Sequence, residues 1–92
     1  LPQHHIKDPQ ARRTYAIDYL TDGWLEGGET IVTSTWTVPT ALTGDQQINT
    51  GTRTSIRLAG GVAGVDYTVT NTVTLSSGEI DERSIFIRVR ER

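Results

Sequence analysis

Leu58-Ala59-Gly60-Gly61-Val62-Ala63-Gly64-Val65-Asp66-Tyr67-Thr68-Val69 is the stretch whose reading decides the fold. A glycine-bearing connection leads into Tyr67 at the start of an alternating run, and an apolar residue, Val69, stands two positions later. This is the layout of a tyrosine corner, in which the phenol hydroxyl bonds a backbone group of the preceding connection and the residue two on packs inward. An ordinary tyrosine in an ordinary strand is the plainer alternative; the spacing favours the corner.

Working outward, Asp66 to Leu75 alternates without a break, with Tyr67, Val69, Asn71, Val73 and Leu75 opposed to Thr68, Thr70, Thr72 and Thr74. That is the period of a half-buried strand. Ser77-Gly78 turns the chain, and Ser84 to Val89 places Ile85, Ile87 and Val89 inward and Phe86, Arg88 and Arg90 outward, so the two runs form a hairpin. Upstream, Arg53 to Leu58 opposes Thr54, Ile56 and Leu58 to Arg53, Ser55 and Arg57. Glu29 to Val38, closed by Pro39, is rich in β-branched residues. Its alternation groups Val32, Ser34, Trp36 and Val38 on one face and Ile31, Thr33, Thr35 and Thr37 on the other, with Trp36 inward. Thr14 to Leu20 is a further strand, with Tyr15, Ile17 and Tyr19 on one face.

Two stretches are less ordered in pattern. Ala41 to Thr50 is either an edge strand anchored by Leu42 and Ile48 or a loop, because Gly44-Asp45 and Gln46-Gln47 break it. Residues 1–13 lack sustained periodicity and read as an extended leader, mobile or bound by a partner, ahead of a domain spanning 14–92. Between Thr21 and Gly28 lies a loop whose Trp24 is expected to cap one end of the core.

With 92 residues and no cysteine, the chain has room for one core that must be held by packing alone. Threonine is over-represented and valine and isoleucine are common, while alanine, lysine and leucine are scarce, a balance that suits strands better than helices. These patterns together predict an all-β, immunoglobulin-like antiparallel sandwich, one domain of roughly six to seven strands. Its core is expected to contain Ile17, Tyr19, Trp36, Ile56, Tyr67, Val69, Val73, Ile85 and Ile87. A small barrel is the competing architecture.

Catalytic chemistry finds little foothold. Cysteine is absent and the only histidines, His4 and His5, sit together in the leader, where neighbours on an extended chain point apart and chelate poorly. Asp18, Asp22, Glu26 and Glu29 offer oxygens for calcium, but their spacing matches no EF-hand loop and a solvated acidic loop is the simpler reading. No catalytic, cofactor or metal site is expected. Arg53, Arg57, Arg83, Arg88, Arg90 and Arg92 would make a basic stripe if they shared one sheet, but a net charge of −2 and few interleaved aromatics argue for a solvated edge over nucleic-acid binding. There is no apolar run of membrane-spanning length, and no leading charged-then-apolar pattern of a signal peptide.

Lys7-Asp8-Pro9, Tyr15-Ala16-Ile17-Asp18-Tyr19, Ser34-Thr35-Trp36-Thr37-Val38-Pro39, Tyr67-Thr68-Val69-Thr70-Asn71 and the ending Asp81-Glu82-Arg83 to Val89-Arg90-Glu91-Arg92 recur in an order that resembles small tailed-phage and prophage fiber-tail adaptors with an immunoglobulin-like fold. The resemblance implies a non-enzymatic virion protein that attaches a fiber to the neck or tail, with neck, tail or fiber subunits as partners in symmetric multiple copies. A capsid decoration protein and a bacterial adhesin-type module are the alternatives; a small hydrolase ranks last. On the leading reading, Ile6, Lys7, Arg12 and Arg13 of the leader, with Arg88 and Arg90, are the candidate partner contacts.

Overall fold

The computed structural model describes residues 3–20, 23, 25 and 27–91. Seven strands are present among them: β1 Gln3–Lys7, β2 Arg12–Asp18, β3 Ile31–Thr37, β4 Leu42–Asn49, β5 Arg53–Gly60, β6 Asp66–Leu75 and β7 Ile80–Val89. One sheet has the order β1-β7-β6-β3 and the other β2-β5-β4. Every pairing is antiparallel except that of β1 with β7, which is parallel. This is the strand arrangement of an immunoglobulin-type sandwich, with the first strand carried across to pair beside the last.

The inward faces meet in one core. Ile17, Tyr19, Ile56, Leu58, Val69, Val73, Ile85, Ile87 and Val89 are almost completely enclosed, and Tyr15, Ile31, Trp36, Leu42 and Leu75 complete the cluster. Tyr67 is half-buried and packs against the cluster from its rim. There it closes the corner: the Val62 N–H donates to the Tyr67 hydroxyl at 3.0 Å. The connection needs glycine at position 61, where φ is +98° and an added Cβ would lie 2.8 Å from Val89 Cγ2.

Three departures from the sequence expectation share a physical origin in backbone register or polar pairing. In β3 the register shifts between Ile31 and Thr33, so Ile31 and Trp36 both point inward while Val32, expected beside Trp36, is 61% exposed. In β4, a strand after all, a shift between Asp45 and Ile48 turns Ile48 outward, opposite Ser55, instead of anchoring it. The leader is not an unpacked arm: Gln3–Lys7 runs beside β7 in the domain's own sheet, and Arg12 already opens β2. Its inner side chains are polar, which is why no apolar period announced it. The expected cap by Trp24 lies outside the described residues, as do Asp22 and Glu26 of the acidic loop and Arg92.

Candidate functional site

β1 alternates Gln3, His5 and Lys7 toward the sandwich with His4 and Ile6 away from it. Gln3 Nε2 donates to the Ala16 carbonyl at 3.2 Å, and the His5 ring hydrogen-bonds Gln3 Oε1 and packs on Tyr15. Lys7 Nζ donates to the carbonyls of Gly60 at 2.7 Å and Asp8 at 2.9 Å. Burial holds the Lys7 amine below its usual pKa. Lys7 is therefore a clamp between the two sheets; its expected role as a partner contact is corrected by its burial.

Of the other candidate contacts, Ile6 and Arg13 line one groove, described below, while Arg12, Arg88 and Arg90 do not line it. Ile6, half exposed, stands beside Arg88 on the outer face of the four-stranded sheet. Arg88 pairs with Asp66 at 3.0 Å, which raises the guanidinium and lowers the carboxyl from their ordinary ranges. Arg12 and Arg13 are exposed at the opening of β2, in the other sheet, and Arg90 is exposed just beyond β7, its N–H held by the Lys7 carbonyl at 2.9 Å.

The two outer faces differ in chemistry. Cross-strand rungs on the four-stranded sheet read Thr33-Thr74-Ile80, Thr35-Thr72-Glu82 and Thr37-Thr70-Ser84, and His4 stacks on Phe86 near the β1 edge. On the three-stranded sheet they read Thr14-Arg57-Asp45 and Ala16-Ser55-Ile48, with Asp18 opposite Arg53. Arg57 and Asp45 form a two-pronged pair at 2.9 Å, which lowers the Asp45 carboxyl. Over Ala16 and Ser55 runs a groove of about 640 Å³, also lined by Arg13, Tyr15, Ile48 and Arg53. Sequence reading missed this groove, because only the break at Gly44 to Gln47 hinted that the face of Ile48 would change.

Among the described residues no three histidine, cysteine or carboxylate side chains gather as metal ligands, and no helix is long and apolar enough to cross a membrane. A family profile described as Podophage GP4 fiber-tail adaptor protein gp77 matches residues 7–88. The chain belongs to this family. It is thus a phage structural adaptor and a component of the virion, and it binds other virion proteins. Comparison with curated proteins yields no match. For a fiber-tail adaptor the faces and edges of the sandwich are the surfaces of interest, and the two outer faces differ in chemistry.

Proposed function

We propose that this adaptor is a non-enzymatic spacer that joins a fiber to the neck or tail of the particle, in several copies around the particle axis. The family match over residues 7–88 carries the reading. The form of the domain supports it: an elongated body of 43 × 23 × 16 Å, built as one sandwich, offers two well-separated ends for two partners.

The docking surfaces would be the outer faces and the ends, since β1 is already engaged by its own sheet. Deleting the gene from the phage and weighing the protein content of purified particles tests the proposal. Particles without fibers are expected; particles that retain fibers in normal amount would overturn it.

A further inference from the structure

The irregularity in β4 does something specific to one side chain. Were the alternation from Leu42 regular, Ile48 would fall on the inward face with Leu42 and Gly44. Instead three steps along β4, from Asp45 to Ile48, match two along β5, from Arg57 to Ser55, and Ile48 emerges outward and 54% exposed. Gln46 adopts φ +55° within this bulge, the left-handed region that a glutamine seldom occupies and the one non-glycine positive φ among the described residues. Backbone held in such a region tends to mark a surface used for recognition, and bulges commonly re-aim a side chain.

Ile48 is aimed at the groove over Ala16 and Ser55. Small residues make the floor, and Arg13 and Arg53 stand among its walls. Among the described residues neither guanidinium forms an ion pair or hydrogen bond, in contrast to those of Arg57 and Arg88 on the same two sheets. Asp18 lies across from Arg53 in register, so the rim keeps a positive balance rather than a bare one. From Arg13 to Asp18 the strand rises roughly 16 Å, room for about five residues of extended chain. Gln3 already occupies the Ala16 carbonyl, so an occupant lies across the face rather than adding as a further strand at that point.

We propose that this groove seats an extended segment of another virion protein that carries both acidic and apolar residues, with Ile48 as the apolar anchor and Arg13 and Arg53 as its charge partners. The inference rests on the adaptor reading and names the chemistry of one of the partners.

The test places a photo-crosslinking residue, p-benzoylphenylalanine, at position 48 of the full chain, with position 35 on the threonine face as control. The protein is supplied to phage lacking the gene, and cross-linked peptides from purified particles are identified by mass spectrometry. Position 48 should capture a net-negative segment of a different virion protein, and position 35 should not capture it. Capture of a basic or uncharged segment, capture of a second copy of this chain, or no capture at all from protein present in particles would each overturn the inference. In parallel, Ile48→Asp and the pair Arg13→Glu with Arg53→Glu should leave the melting temperature of the isolated protein within a few degrees. Each should reduce fiber content of particles at least tenfold, because loss of either partner of a linker loses the fiber. If gene deletion removes the fiber but these variants retain it, the groove is refuted while the adaptor reading stands; if deletion itself leaves the fiber, the adaptor reading fails.

Discussion

Tyr19 and Asn71, 52 positions apart in the chain, meet between the two sheets, where the phenol hydroxyl donates to Asn71 Oδ1 at 2.9 Å. Thr54 donates to the same oxygen at 2.9 Å, while Asn71 Nδ2 donates to Ser34 Oγ at 2.8 Å and the Thr35 carbonyl at 3.2 Å. Both lone pairs and both N–H groups of one amide are thereby used. Burial pushes the Tyr19 hydroxyl up to about 12, and the Arg83 guanidinium lies over the same ring. Replacing Asn71 by leucine should cost about 3 to 5 kcal/mol in urea unfolding, because it removes the shared acceptor of two buried hydroxyls and the donor to two further groups at once. Tyr19→Phe alone should cost about 1 to 3 kcal/mol. The double variant should lose less than the sum, since the leucine has already removed the acceptor; strict additivity would show that the two groups are not coupled.

The corner separates a polar bond from a steric requirement. Val62 is solvent-exposed, so water can replace the hydroxyl that its N–H meets, and Tyr67→Phe should cost only about 0.5 to 1.5 kcal/mol. Gly61→Ala combines a left-handed backbone with a Cβ too close to Val89 and Leu42, and should cost more, about 2 to 4 kcal/mol. Equal effects, or the reverse order, in equilibrium unfolding would refute this division.

Trp36 is 7% exposed, yet its indole N–H finds no hydrogen-bond partner among the described residues. In a Trp24→Phe background its emission should be blue-shifted and poorly quenched by iodide; a spectrum resembling that of free tryptophan would contradict the burial. Trp36→Ala should cost about 3 to 5 kcal/mol through the cavity it leaves. Trp36→Phe should cost only about 1 to 2 kcal/mol, since it also removes a donor that is unpaired in the fold.

Where a side chain's face follows simple alternation, the sequence reveals it. Val69, Val73, Ile85 and Ile87 sit where a period of two puts them, because β6 and β7 pair without a register shift. Ile31, Val32 and Ile48 do not, because a bulge reverses the phase and nothing in their own identity reports it. β1 escaped for a different reason. Gln3, His5 and Lys7 face inward onto a carbonyl, a ring and two further carbonyls, so the strand is repaid by polar contacts that hydrophobic periodicity cannot register. The groove depends on both effects, and was illegible until the strands were in register.

β1 should be protected in the isolated protein, and its protection should depend on pH. Burial against Tyr15, with His4 adjacent, lowers the His5 pKa from its ordinary 6.5. Between the lowered folded value and 6.5 the unfolded chain binds more protons than the folded one, so stability rises with pH there. The contribution is intact above 6.5 and declines as acid carries the pH through the folded value. After correction for intrinsic rates, hydrogen exchange across Gln3–Lys7 should accelerate between about pH 7.5 and pH 5.5 while Asp66–Leu75 stays protected. Exchange of β1 at unprotected rates even at pH 7.5 would show that the strand does not hold its place outside the particle.

The parallel pairing of Gln3 with Ile85 and Lys7 with Val89 also sets an order of events during synthesis. At roughly 5 to 20 residues per second, the segment that becomes β1 leaves the ribosome several seconds before the strand that will hold it has been made. β6 likewise waits for its hairpin partner, and until then Val69 and Val73 have only one side covered. The nascent domain therefore spends most of its translation time with an incomplete sandwich. Translation pausing upstream of Ile80 prolongs that interval, and with it the chance that neighbouring nascent chains pair strand to strand before either can close on itself.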